Sequence, residues 1–145
     1  MEPDNYMRTP EAHFFNDDTD EKVGVIVYNF DKQVLIVKSY IHNRYSFPKG
    51  SRKVGETQWE GAVREAWEEA GIDITEHNYK GICNLKHGTY FIIELKTRYC
   101  KCKPKEKETA VALWRSKADL KKKPRRNNID LNVFCNMNEM PLIST

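Results

Sequence analysis

Glu65, Glu68 and Glu69 lie three and four residues apart in the chain, with Arg64 directly before them. On a helix, at about 100° per residue, that spacing gathers the three carboxylates on one side. Such a cluster works against its own helix. Like charges at i,i+4, here Glu65 and Glu69, repel, and carboxylates in a last turn face the negative end of the helix dipole. Arg64 has Glu60 and Glu68 within helical reach, whereas Glu65 and Glu69 have no local basic partner in the sequence. A grouping that costs the fold makes sense when a cation fills it. Carboxylate oxygens alone select a hard divalent ion, magnesium foremost.

The element that must hold these groups is a helix from about Thr57 to Ala70. Thr57 is a good N-cap, Glu60 three residues on completes a capping box, and Gly71 supplies the stop. Trp59, Val63, Ala66, Trp67 and Ala70 fall on one side as the apolar face. Gly61 lies on the acidic side, one turn before Glu65, and is expected to leave room above the carboxylates.

At 145 residues the chain has the length of one domain, and 39% hydrophobic with 31% charged residues describes a soluble globular protein. No run approaches the roughly 20 apolar residues of a membrane span, and no membrane association is expected. Cys83, Cys100, Cys102 and Cys135 show no zinc-ligand spacing and are expected to be free thiols in a reducing, cytoplasmic setting. His13, His42, His77 and His87 are scattered, none at a ligand spacing, and read as surface or loop residues.

Charge is distributed unevenly. Residues 1–21 hold seven acids against Arg8 alone, and 1–22 is expected to be a loosely ordered acidic leader to a single domain over 23–140. Lys96 to Arg126 carries thirteen lysines and arginines against three acids, a surface suited to a polyanion.

Val23–Phe30 and Gln33–Tyr40 are β-branched apolar runs joined at Asp31-Lys32, and predict an antiparallel strand pair. Their near-continuous hydrophobicity predicts burial on both faces, so helices should cover both sides of the sheet. Ile41–Arg44 reads as a loop and Tyr45-Ser46-Phe47 as an extended lead into Pro48. Tyr79–Lys86 and Tyr90–Arg98 form a second strand pair, Tyr99–Lys107 a lysine-rich loop and Ala110–Arg115 a further strand. Lys117–Lys123 and Asn128–Asn138 read as short helices. The architecture expected is α/β, an α/β/α sandwich with a mixed β-sheet.

Gly50, Glu56, Arg64, Glu65, Glu68, Glu69 and Gly71, closed by Ile72, match the charged and glycine positions of the Nudix box over 23 residues. The chain therefore resembles the Nudix hydrolases; Ala66 departs only in being smaller than the usual aliphatic residue. The strand pair, the YSFPKG lead and the KETAVALW stretch further resemble the catalytic domain of cellular and viral mRNA-decapping Nudix enzymes, over roughly Val23 to Phe134. With 22 residues before the first expected strand, a counterpart of the helical regulatory domain that precedes that catalytic domain in cellular decapping enzymes is not expected in this sequence.

This resemblance implies a pyrophosphohydrolase using two to three magnesium ions, with manganese able to substitute. The ligands it implies are Glu65, Glu68, Glu69 and the Gly50 carbonyl, with Glu56 a further ligand or else a partner for Arg64. Glu69 and Glu108 are the candidate general bases, and Glu68 and Arg64 complete the catalytic set. Lys49, Arg52 and Lys53 near the box, and Lys121, Lys122, Lys123, Arg125 and Arg126 downstream, are the expected substrate contacts. The leading substrate is the 5′ cap of mRNA, cleaved to 7-methylguanosine diphosphate and 5′-monophosphate RNA. Dinucleoside polyphosphates and diphosphoinositol polyphosphates are the alternative, and no stable protein partner is expected. Tyr40, Tyr45 and Phe134 are the candidates to stack on a base; Trp59 and Trp67 are expected in the core.

Overall fold

The β-branched runs form adjacent strands in a seven-stranded mixed sheet. The structure, a computed structural model, describes residues 17–96, 103–105 and 109–137. In chain order the elements are β1 (Asp18–Tyr28), β2 (Val34–Ser39), β3 (Tyr45–Ser46), β4 (Lys49–Lys53), α1 (Gln58–Ala70), β5 (Gly81–Asn84), β6 (Thr89–Glu94), β7 (Thr109–Arg115), α2 (Lys117–Lys121), a 3-10 turn (Pro124–Arg126) and α3 (Ile129–Cys135). The order β3-β2-β1-β6-β5 is extended by β4 pairing with β1 and β7 with β2. β1 and β6 run parallel, Val23 opposite Thr89 through Tyr28 opposite Glu94; the other pairings are antiparallel.

Alternation explains why the central strands are apolar throughout. Val25, Val27, Leu35, Val37, Phe91 and Ile93 pack on one face beneath Ala62, Ala66 and Ala70 of α1. Ile26, Val34, Ile36, Tyr90 and Ile92 pack on the other with Phe47, Leu120 of α2, and Leu131 and Phe134 of α3. Helices thus cover both faces, as the expected α/β Nudix sandwich requires. Each buried Val, Ile, Leu or Phe contributes about 1.5–3 kcal/mol relative to exposure.

α1 starts and stops as its caps predict. Glu60 N–H donates to Thr57 Oγ1 at 3.0 Å, and Thr57 N–H returns to Glu60 Oε1 at 2.8 Å. Gly71 takes the left-handed conformation at φ 69°, and its N–H donates to Trp67 O at 2.8 Å.

Several expectations need correction. β1 begins at Asp18 rather than Val23, because residues 18–24 pair with β4, a strand hidden in the box loop. The apolar face of α1 centres on Ala62, Ala66 and Ala70, while Trp67 is 48% exposed. Its ring instead carries Lys105 Nζ at 5.0 Å from the centroid. Gly61 leaves no open room above the carboxylates: a Cβ there would lie 2.9 Å from Val23 Cγ2 and 3.3 Å from Glu56 Oε1. Phe134 is fully buried and meets Phe47 edge-on at 5.1 Å, so it offers no face to a base. Trp59 does sit against the core, within 5.3 Å of Phe91 and 5.2 Å of Tyr79.

Candidate active site

β4 and α1 lie against the start of β1, and the gap between them is closed by one guanidinium. Arg64 Nε donates to Glu56 Oε2 at 2.7 Å and Nη2 to Glu56 Oε1 at 3.0 Å, a bidentate pair. Nη2 also donates to the Ser51 carbonyl at 2.9 Å. Nη1 reaches Glu65 Oε2 at 2.8 Å and Glu68 Oε1 at 3.1 Å. Arg64 therefore ties strand, loop and helix together. It partners Glu56 and Glu65 as well as Glu68, while Glu60 is spent on the cap. The expectation that Glu65 has no basic partner is thus overturned.

Glu65 is 5% exposed and lies against the backbone of Gly50. A Cβ on Gly50 would sit 2.2 Å from Glu65 Oε2 and 2.3 Å from its Cδ. Glycine here lets the carboxylate reach the strand. Glu69 Oε1 accepts the Lys49 N–H at 3.1 Å, from the residue before Gly50.

Burial alone would raise the Glu56 carboxyl, but the Arg64 guanidinium, the Lys53 N–H at 2.8 Å and the Lys53 charge outweigh it and hold it below the usual carboxylate range. The Glu56 carboxylate in turn overcomes the burial of Arg64 and, with Glu65, holds that guanidinium charged.

The oxygen donors around this gap fit a hard divalent ion. Glu65, Glu68, Glu69 and the Gly50 carbonyl are all oxygen ligands, and the bare glycine Cα keeps carboxylate and strand in contact. Of the four carboxylates, counting Glu56, three bond the Arg64 guanidinium and Glu69 accepts from the Lys49 N–H. Among the described residues no three carboxylate, imidazole or thiolate side chains are drawn into a single ligand cluster; Arg64 holds three of these carboxylates instead.

Of the expected substrate contacts, Lys49 lines the cavity over Glu69. Arg52 is bonded to Glu21 and to the Lys53 and Glu56 carbonyls, the latter at 2.9 Å. Its guanidinium holds the Glu21 carboxyl below the usual range, helped by Gln58. Lys53 pairs with Asp18 at 3.1 Å. Both side chains fasten β4 to β1. Glu108 lies outside the described residues, as do Cys100 and Cys102. The described residues on either side of Glu108 reach the acidic helix: Lys105 N–H donates to Glu68 O at 2.8 Å, and Thr109 lines the cavity over Glu69.

Four cavities are linked by shared lining residues, beginning with the one at Glu69. The first, about 260 Å³, is lined by Glu69, Gly50, Lys49, Lys22, Thr109, His42, Ser39 and Ser46. The second, about 350 Å³, shares Ser39, His42, Ser46 and Lys49 and adds Arg44 and Asn128. The third, about 410 Å³, continues from Arg44 past Arg125 and Asn127. The last, about 250 Å³, runs from Asn127 to Lys122, Lys123, Arg126, Arg115 and Tyr45. Lys121 is exposed on α2 and lines none of them. Arg44 and Asn128 carry no signal in the sequence that marks them for a site, and His42 is expected on the surface or in a loop. His42 is in a loop, but one that walls two cavities.

Residues 18–137 match the NUDIX domain family. An RNA pyrophosphohydrolase of Psychrobacter cryohalolentis is 44% identical over 50 residues, covering 34% of this chain and 29% of that protein. Nudix hydrolase 5 of Arabidopsis thaliana is 26% identical over 124 residues, 77% of this chain and 41% of its own length. The chain thus spans less than half the length of these relatives. Among solved structures, a C. elegans Ap4A hydrolase superposes with a TM-score of 0.66 at 20% identity, covering 79% of this chain and 92% of that one. A MutT protein from Methanosarcina mazei Go1 gives 0.63 at 17%, covering 82% and 91%. These likenesses show a shared fold. Because the family match runs from the first residue of β1 to just past α3, with the box residues gathered around Arg64, the chain belongs to the Nudix family of hydrolases.

Proposed function

We propose that this chain is a divalent-metal-dependent pyrophosphohydrolase acting on the capped 5′ end of mRNA, releasing 7-methylguanosine diphosphate and RNA with a 5′-monophosphate. The observation that carries the reading is a series of cavities, each sharing lining residues with the next, from Glu69 by way of Lys49, Arg44 and Arg125 to Lys122. A compact substrate needs only the near end of such a path; a nucleic-acid chain uses all of it. The 44% identity over 50 residues to an RNA pyrophosphohydrolase also supports an RNA 5′ end.

Nudix enzymes generally use a divalent metal such as magnesium. Two to three such ions, or manganese in their place, would be held by Glu65, Glu68, Glu69 and the Gly50 carbonyl, neutralising the anhydride oxygens and acidifying the attacking water. Arg64 keeps Glu65 and Glu68 in place. Glu69, or Glu108 from the segment between Lys105 and Thr109, takes the proton from water. Lys49 and Arg44 bind phosphate oxygens, Lys49 as a point charge and Arg44 as a planar fork.

The test is Michaelis constant against RNA length at two salt concentrations. Capped RNA of some twenty nucleotides should bind far better than cap analogue. Its affinity should fall with salt at a log–log slope of about −0.7 per phosphate contacted. Replacing Lys122, Lys123, Arg125 and Arg126 with alanine should flatten that slope and spare hydrolysis of a small dinucleotide. A response independent of length, with dinucleoside or diphosphoinositol polyphosphates cleaved as well as long RNA, assigns the enzyme to small molecules instead.

A further inference from the structure

We infer that the second cavity is a binding site for a phosphoryl group, held by Ser39, His42, Arg44, Ser46, Lys49 and Asn128. It deepens the decapping reading and rests on it for its physiological ligand, the phosphate that remains on the RNA after cleavage. The lining consists of two hydroxyls, an imidazole, a guanidinium, an ammonium and a carboxamide around about 350 Å³. Among the described residues its lining has no carboxylate and no apolar side chain. A base pocket needs an apolar or aromatic wall, as the last cavity has in Ile36, Tyr45 and Leu120. A space walled by cations and neutral donors suits a tetrahedral oxyanion.

Its position fits a phosphate next to the reacting one. Ser39, His42, Ser46 and Lys49 are common to this cavity and to the one containing Glu69 and Gly50, so only a shared wall separates the two. The turn that carries Ser39 and the Asn128 side of the wall are also set in advance. Ser39 Oγ accepts N–H bonds from Ile41 at 3.0 Å and His42 at 3.3 Å. Asn43, at φ 53°, closes the turn by donating its N–H to Ser39 O at 3.0 Å. On the other side Asn128 N–H donates to Tyr45 O at 2.8 Å. Asn128 Oδ1 accepts the Leu131 N–H at 2.9 Å, which holds the carboxamide in one orientation. Donors fixed before the ligand arrives bind it at a smaller ordering cost.

The experiment uses the full chain, isotopically labelled and free of divalent metal, titrated with inorganic phosphate and followed through its backbone amide resonances. A second arm compares a short RNA bearing a 5′-phosphate with the same RNA bearing a 5′-hydroxyl. The amides of Ser39 to Ser46 and Asn128 should shift with phosphate and with the phosphorylated RNA, and far less with the hydroxyl form. Arg44→Gln and His42→Gln should each weaken phosphate binding roughly tenfold. Lys80→Gln, at the far end of the sheet where Lys80 pairs with Glu94 at 2.7 Å, should change nothing. With capped RNA, Arg44→Gln should raise KM and leave kcat within about twofold, the signature of lost binding rather than lost chemistry. Shifts centred elsewhere, unchanged affinity in both variants, or a response to free phosphate alone would each overturn the assignment. If capped RNA is not cleaved but the amide shifts appear as described, the decapping reading fails while the phosphoryl site stands.

Discussion

Replacing Gly50 with alanine tests whether the position of Glu65 matters to function. Gly50 pairs with Val23 in the sheet, and its φ is not in the left-handed region, so the alanine backbone itself is unstrained. The new methyl, however, would lie between 2.2 and 2.4 Å from three atoms of the Glu65 carboxyl group. Glu65 must swing away and give up its 2.8 Å bond to Arg64. A hydrogen bond to a charged group contributes about 1.5–3 kcal/mol. The smaller unfolded-state entropy of alanine returns about 0.4–1 kcal/mol. The net loss is about 1–2 kcal/mol, or a fall in Tm of roughly 3–6 °C for a chain of this size. Turnover should fall further, by about a hundredfold, because a displaced carboxylate no longer holds reacting groups in line. Thermal melts and steady-state hydrolysis of a capped RNA measure both effects. The same substitution in a Glu65→Ala background, where no carboxylate remains to be struck, should cost almost nothing more in turnover. Wild-type turnover in Gly50→Ala, or full additivity with Glu65→Ala, would refute the reasoning.

Glu68→Gln and Glu69→Gln should each lower kcat by two or more orders of magnitude with an unchanged melting curve, since a glutamine oxygen can still accept the bonds from Arg64 and from the Lys49 N–H. Near-native rates in both would remove them from the site. Glu108→Gln should lower turnover with KM almost unchanged, whereas Glu106→Gln should be nearly silent; an equal effect of the two would misplace the base. The Glu56 carboxyl is held below the ordinary glutamate value of 4.5, so its contribution to stability is complete above that pH and is lost as pH falls through the lower folded value. Denaturant melts of Glu56→Gln should therefore show lower stability at neutral pH and a shallower decline below about pH 4.5; a slope matching the wild type would show that Glu56 is not held this way.

How much of this was legible before folding depends on how far apart the interacting residues lie. α1 was readable nearly to the residue, because a capping box, a left-handed glycine and a 3.6-residue period are interactions within a few positions. Burial of the central strands on both faces followed from the unbroken apolar runs. For Arg64, helical geometry offered only Glu60 and Glu68; its bidentate partner Glu56 arrives from the loop after β4. β4 itself escaped notice since KGSRK has no strand-like alternation and becomes a strand only by pairing with β1. The period of α1 located an apolar side but not its centre. The alanines packed against β1 and β6 determine that Ala62 is inside and Trp67 outside.

The chemistry is written along the chain: a helix carrying three carboxylates, a glycine and an arginine at fixed distances, in the pattern of one family. Those relations are short-range, and local geometry sets them before any tertiary contact forms. Folding was needed to show that Arg64 also neutralises Glu65, that Gly50 gives its space to Glu65, and that Ser39, His42, Arg44, Lys49 and Asn128 line one cavity beside the one at Glu69. Asn128 is brought to the others by the Tyr45–Asn127 bridge and by its N–H bond to Tyr45, contacts between residues more than 80 positions apart. No period or spacing encodes such a meeting, because it depends on how two layers of helices close over a sheet.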